Sequence, residues 1–221
     1  MSKLFIGILS LTIFLTACED PAANKPKATT TNTSNTANTT SAANNSTGAV
    51  PAKSETLAIN PENSKVEFVG SKVTGRHDGG FKKFAGTIAL VNGKPEDSTV
   101  SIDIDTASVF TDTNDLTKHL MTGDFFDVAK YPKASFKATK IAPDTEKGAG
   151  HYMVTGDLTL RGVTKSVTFP ATITVVGDSV AVNAEFSINR KDFNILYTGK
   201  ADDLIRDDVV IKLDLKAPRT S

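Results

Sequence analysis

The sequence predicts an all-β protein: one antiparallel barrel of eight strands, interrupted once by a short helical segment. Three observations predict it. Apolar and polar residues alternate with period two over segment after segment between residues 64 and 217, which is the pattern of half-buried strands. Turn-forming residues fall between those segments. Several segments are also long beside the usual five or six residues of a strand. Long antiparallel strands in near-continuous hairpins close most simply into an up-and-down barrel. Alternation alone is equally compatible with a two-sheet sandwich.

The predicted strands are 64–74, 81–91, 98–107, 134–142, 150–160, 163–176, 179–188 and 206–217. In the third, Val100, Ile102 and Ile104 alternate with Ser101, Asp103 and Asp105. In the fifth, Tyr152, Val154, Leu158 and Leu160 share a face opposite Met153, Thr155, Asp157 and Thr159. The sixth is the longest, with Val163, Val167, Phe169, Ala171, Ile173 and Val175 set against Thr164, Ser166, Thr168, Pro170, Thr172 and Thr174. Val180, Val182, Phe186 and Ile188 repeat the pattern in the seventh, and Val209, Ile211, Leu213 and Leu215 in the eighth. Gly79-Gly80, Asn92-Gly93, Gly148 to Gly150, Arg161-Gly162 and Gly177-Asp178 supply the turns.

The stretch HLMTGDFFDVAKYPKASF, residues 119–136, breaks the alternation. Leu116, Leu120 and Met121 stand at helical spacing, Asp112 or Thr113 is available as a cap, and Pro132 returns the chain to extended conformation. Residues 113–131 therefore read as a short helix plus turn between strands 3 and 4, carrying Phe125 and Phe126 between Asp124 and Asp127.

The N-terminus has its own organisation. Lys3 precedes an apolar run of about a dozen residues, too short for the roughly 20 of a spanning helix and suited to a signal peptide. The run ends in Leu15-Thr16-Ala17-Cys18, which resembles a bacterial lipobox; Cys18 is the only cysteine of the chain. Residues 1–17 are thus expected to be a lipoprotein signal peptide and Cys18 the site of lipid attachment. That places the protein in a bacterial cell envelope, at the outer membrane, its periplasmic face or the extracytoplasmic face of the cell membrane. Residues 18–55 are rich in Asn, Thr, Ser and Ala with almost no large apolar side chain. The sequence predicts a disordered tether there, with a reach on the order of 30–35 Å. The folded domain is expected over 56–218.

Composition excludes some functions. With 25 basic and 25 acidic side chains in 221 residues the formal charge is zero, which disfavours nucleic-acid binding. The three histidines, His77, His119 and His151, are far apart, and no H-E-x-x-H, C-x-x-C or G-x-S-x-G occurs. His119 with Asp115 and Asp124 is the nearest approach to a metal cluster, and carboxylates at such spacings more often cap helices. No catalytic residue, metal or cofactor is predicted. Arg190 and Asp192 are expected to pair and fix a turn. Lys72, Arg76, Lys82 and Lys83, on the two arms of a 74–80 hairpin, are candidate contacts for an anionic headgroup.

An eight-stranded barrel either fills with side chains or holds one small ligand. The inward candidates are Phe68, Phe84, Ile88, Ile102, Ile104, Leu120, Phe125, Phe126, Phe136, Val154, Leu158, Phe169, Ala171, Ile173, Val175, Phe186 and Ile188. Small residues at Gly86, Ala138, Gly156, Ala171 and Ala184 leave gaps between them.

Five motifs in order resemble the YceI-like family of lipid- and polyisoprenoid-binding proteins. They are Ser64-Lys65-Val66-Glu67-Phe68, Phe81 to Gly86, the set His119-Leu120, Phe125-Phe126-Asp127, Tyr131-Pro132 and Phe136, then Gly156 to Lys165, and Ile188 to Phe193. The family often opens its domain with an aromatic residue and D-P-x-H-S. Here Leu57 and Asn60-Pro61-Glu62-Asn63-Ser64 stand instead, and the histidine is missing. The resemblance implies a lipocalin-like barrel enclosing a polyisoprenoid, quinone or other amphiphilic lipid, with residues 113–131 as a plug or lid at one opening. Binding without chemistry is the leading expectation. The alternatives are an envelope interaction module with a filled barrel, and an enzyme acting on a lipid.

Overall fold

The computed structural model describes residues 19–33, 53–177 and 179–218. In chain order the elements are β1 (Thr29–Asn32), β2 (Ser54–Ile59), β3 (Lys65–Lys72), β4 (Gly75–Phe81), β5 (Phe84–Val91), β6 (Lys94–Asp105), β7 (Val109–Thr111) and α1 (Asn114–Leu120). They continue with β8 (Lys133–Pro143), β9 (His151–Leu160), β10 (Val163–Val176), β11 (Ser179–Asn189), β12 (Gly199–Lys200), β13 (Asp203–Leu204) and β14 (Asp208–Pro218). All but β12 and β13 belong to one strongly curled antiparallel sheet in the order β2-β5-β6-β8-β9-β10-β11-β14-β3-β4-β7, with β1 added on β10. The fold is all-β and barrel-like, as the alternation predicts. The hydrogen-bonded path starts at β2 and ends at β7 rather than closing into a ring.

Among the described residues the main sheet has twelve strands instead of the predicted eight, for three physical reasons. Two long strands bend. β4 and β5 are one run folded at Lys82-Lys83, and β6 and β7 one run folded at Thr106–Ser108. The corner is fixed locally: Asp105 Oδ1 accepts from the Ala107 N–H at 3.0 Å, the Lys83 N–H donates to Ser108 Oγ at 2.9 Å, and the Asp105 N–H donates to the Lys83 carbonyl at 3.0 Å. Second, β5 bends away from β3, and β2 pairs with it instead, in register from Ser54↔Val91 to Ile59↔Gly86. Leu57 and Ile59 of β2 are among the most buried residues of the core.

The third reason corrects the tether. Residues 19–33 lie on the barrel, and β1 pairs antiparallel with β10 from Thr29↔Thr168 to Asn32↔Lys165. Ala22 packs on Val69 and Val210, and Asp20 reaches Arg206 at 3.3 Å. A polar, Thr-rich strand lacks the side chains to order itself, but it gains a ready-made ladder on β10. Of the expected tether, residues 34–52 lie outside the described residues, as do the signal segment 1–17 and Cys18.

Beside the small Ala22–Val69–Val210 contact, the core of the described residues has two larger parts. The main cluster fills the curl of the sheet, and a smaller one built on Val109, Leu120, Phe125 and Ile195 caps one end. Phe81 and Leu160 pack against both. Glycines make room for rings against the strands. A Cβ on Gly156 would stand 2.3 Å from the Phe136 ring, and one on Gly79 would stand 2.6 Å from the Phe68 ring. These strands carry glycine because an aromatic side chain lies where a side chain would be.

Candidate functional site

Every predicted interior residue falls in one of the two clusters. Phe84, Ile88, Ile102, Val154, Phe169, Ala171, Ile173, Phe186 and Ile188 are buried in the main cluster, with Ile104, Phe136, Leu158 and Val175 packed against it. Leu120 and Phe125 are buried in the end cluster, where Phe68 and Phe126 are partly exposed. Strand alternation puts the strand residues there, since one inward residue in two lines a curled sheet, whereas Leu120, Phe125 and Phe126 come from α1 and the turn after it.

The middle of the interior is a file of three rings. Phe136 and Phe169 are 5.6 Å apart by centroid, and Phe169 stacks on Phe186 at 4.1 Å and 10°. The wall beside it is low, because Ala138, Ala171 and Ala184 are buried small residues of the same cluster. Among the described residues, two depressions touch residues of the main cluster from outside. An open groove of about 620 Å³ at the start of β5 and β8 touches Phe84 and Ile104, flanked by Lys83, Lys133, Asp103 and Asp105. A smaller cavity of about 230 Å³ between β10 and β11 touches Ala171 and Ala184, rimmed by Asp144, His151 and Glu185.

The segment after β7 closes the capped end. Thr113 occupies the cap position before α1 without a side-chain capping hydrogen bond; Asp112 Oδ1 instead accepts from His77 Nδ1 at 2.9 Å. Beyond the helix the chain turns so that Phe125 enters the end cluster, beside Tyr197 at 5.5 Å and His119 at 5.0 Å. Phe126 joins Phe81 at 5.6 Å and Phe68 at 6.5 Å. Asp127, with φ of 48°, makes the turn that follows. His119 Nε2 lies 2.8 Å from Asp124 Oδ2, so this pair stabilises the turn.

Sequence reading missed the group that fastens this plug. Arg161, in the β9–β10 turn, donates to the Gly123 carbonyl of the plug and to the Asn194 carbonyl of the opposite loop. Its left-handed conformation, φ of 50° followed by Gly162 at 73°, aims it there. The Arg-Gly dipeptide was legible only as a turn.

Two charge expectations are corrected. Arg190 is paired with Asp207 at 3.2 Å rather than with Asp192. It also donates to the carbonyls of Ile195 at 2.7 Å and Arg206 at 3.1 Å, which ties down the loop between Asn194 and Asp207. Burial pushes its guanidinium below the usual value, and Asp207 offsets part of that. The four cations proposed for a headgroup do not form one cluster. Lys72 is bonded to Asp203 and Arg76 faces Asp78 at 3.8 Å, near the β3–β4 turn. Lys82 sits over the Phe110 ring at 5.6 Å and Lys83 lines the open groove. The reason is that 75–81 forms a strand instead of a turn. At about 3.3 Å per residue, six residues of strand separate Arg76 from Lys82 by roughly 20 Å.

A curled antiparallel sheet around an apolar interior, plugged at one end by a helix, defines a lipocalin-like barrel. The chain belongs to the YceI-like domain family, whose model matches residues 57–217. A UPF0312 protein of Pseudomonas putida (strain W619) is 39% identical over 140 residues, covering 61% of this chain and 71% of that protein. The structure of Burkholderia cenocepacia BcnA superposes with a TM-score of 0.65 at 29% identity, covering 72% of this chain and 99% of that one. A polyisoprenoid-binding domain from Saccharophagus degradans gives a TM-score of 0.59 at 18% identity, over 75% of this chain and 100% of that one. That likeness shows the fold.

Proposed function

We propose that this chain is a lipoprotein of the bacterial envelope that holds a long-chain isoprenoid, or another amphiphilic lipid such as a quinone, inside the barrel without transforming it. The observation that carries the reading is an interior of hydrocarbon side chains with a low alanine wall, reached from outside at Phe84 and Ile104 and again at Ala171 and Ala184. Such a lining favours a ligand by apolar burial, about 0.8 kcal/mol per methylene. The S. degradans domain is described as polyisoprenoid-binding, and YceI-like membership points to a binding protein rather than an enzyme. Lys83 and Lys133 at the open groove are the cations best placed for an anionic headgroup. Titration with cis-parinaric acid, a fluorescent polyene fatty acid, tests the reading: saturable binding of one equivalent supports it. The stacked rings of Phe169 and Phe186 favour a second reading, a filled barrel acting as an interaction module. Absence of binding would select that one.

Anchoring by Cys18 adds an orientation to this reading. Asp20 is held against Arg206, whose N–H donates to the Ser71 carbonyl at 2.9 Å. Next to it the Val73 N–H donates to the Leu204 carbonyl, and both side chains are exposed large hydrophobics. A lipid on Cys18 would bring that end of the barrel to the bilayer rather than hold it 30 Å away. Cys18→Ser should abolish acyl labelling and release the protein from membranes. A free Cys18 thiol in the mature wild type would contradict the anchor.

A further inference from the structure

We propose that the seam between β10 and β11 is a lateral portal for a single hydrocarbon chain, and that residues 25–32 are the displaceable strand that closes it. The proposal rests on the lipid-binding reading above.

The seam is built into the sequence. The two strands are paired only from Thr172↔Asn183 to Val176↔Ser179, whereas β10 pairs with β9 from Val163↔Leu160 to Thr172↔His151. Two-residue turns fix which residues bond to which side, because the residues flanking such a turn bond to each other. Leu160↔Val163 and Val176↔Ser179 flank those turns. Odd-numbered residues of β10 therefore bond to β9, and even-numbered ones face β11. Pro170 is even-numbered, so the N–H it lacks is one that would have bonded across the seam. The ladder stops two residues short of it, at Thr172↔Asn183.

Beyond that point the N-terminal segment fills the gap. β1 pairs with the far half of β10, and on its other side the Ala28 N–H donates to the Ser187 carbonyl at 2.8 Å while the Ser187 N–H donates to the Pro26 carbonyl at 2.9 Å. Behind it lie the core side chains Val167, Phe169 and Phe186, the last two stacked across the seam. At its foot is the cavity that reaches Pro26, Pro170, Ala171 and Ala184 behind a polar rim including Asp144, His151 and Glu185. Removing the strand would open a slot onto the middle of the interior.

This closure is the weaker of the two. The plug buries Leu120 and Phe125 and is held by Arg161. From residues 25–32 only Ala28 is buried, which is one methyl group. The ion pairs Lys25–Glu185 and Lys27–Asp208, both 2.9 Å, are partly solvent-exposed, and pairs at such positions add little. A chain entering at the seam displaces backbone hydrogen bonds that water can replace, and behind the strand it meets the core side chains Val167, Phe169 and Phe186.

The test is a reversible lock. Thr30 and Val167 face each other as a pair not bonded to one another, the arrangement with the closest side chains. In full-length Thr30→Cys/Val167→Cys, the oxidised form should take up cis-parinaric acid at least tenfold more slowly than the reduced form, with reductant restoring the rate. Amide exchange of the unmodified protein gives a readout free of mutation: Ala28 and Ser187 should exchange at least tenfold faster than Val154. Equal uptake rates before and after reduction, or an Ala28 amide as slow as Val154, would overturn the portal alone. Failure of the wild type to bind the probe would overturn the lipid reading and the portal together.

Discussion

Phe169→Ala separates a ligand cavity from a solid core. Phe169 is 4% exposed and flanked by rings on both sides, Phe186 at 4.1 Å and Phe136 at 5.6 Å. Neighbouring rings on opposite strands do not collapse readily into the space, so the loss should lie in the upper part of the usual 3–5 kcal/mol for such a truncation. That range already contains the share of each ring pair, about 0.5–1.5 kcal/mol. At 2–4 °C per kcal/mol for a domain of this size, the melting temperature should fall by about 8–20 °C. A bound hydrocarbon changes the outcome. Three or four methylenes occupying the vacated space would return about 2.5–3 kcal/mol, roughly a hundredfold in affinity. The variant should therefore bind cis-parinaric acid more tightly than wild type and regain more of its melting temperature when saturated. The assay is thermal unfolding by circular dichroism with and without the probe. A drop that the probe leaves unrelieved would refute the reasoning, because it would mean that the ring belongs to a core no ligand enters.

Two further predictions concern the closed end. Arg161→Ala should cost about 1–2 kcal/mol, as charge-assisted hydrogen bonds at a partly exposed site do, and should speed amide exchange at residues 119–127 while leaving β9 unchanged; uniform exchange would show that Arg161 does not fasten the plug. The second is acid sensitivity at Asp203, whose carboxyl is held below its usual value chiefly by the Lys72 hydrogen bond, with desolvation opposing and Thr74 helping. A depressed carboxyl stabilises the fold at pH values above its unfolded value, and that contribution fades as pH falls through the folded one. The stability difference between wild type and Asp203→Asn should thus be constant from about pH 8 to pH 5 and shrink below about pH 4. A difference that grew on acidification would contradict the assignment.

Much of the fold was legible because alternation reports directly on which side chains face inward. The interior residues from Phe84 to Ile188 needed nothing more, and Pro132 and the helical spacing of Leu116 and Leu120 located the plug. What escaped depended on partners distant in sequence. Thr29-Thr30-Thr31 is β-branched, which favours a strand, but its polarity and its place in a low-complexity run pointed to disorder; only the incomplete β10–β11 ladder makes it a strand. Pro170 was the available sign, since proline within a long strand marks a missing neighbour. The glycines at 79 and 80 resembled a turn, yet in β4 they make room for Phe68 and Phe110. Arg190 chose Asp207 over nearby Asp192 through the return of β14 beside β11, a contact no local pattern encodes.

The claim that the barrel holds a lipid is tested most directly by extracting the protein purified from its own membranes, without added lipid, and identifying what it carries by mass spectrometry. The account predicts close to one equivalent of a single long-chain species, an isoprenoid or another amphiphile, released on unfolding and reduced in Phe125→Ser/Phe126→Ser, which unseals the plugged end. An extract with no lipid above the level of a control membrane protein, from a barrel that also fails to bind cis-parinaric acid, would show that the interior is a filled core.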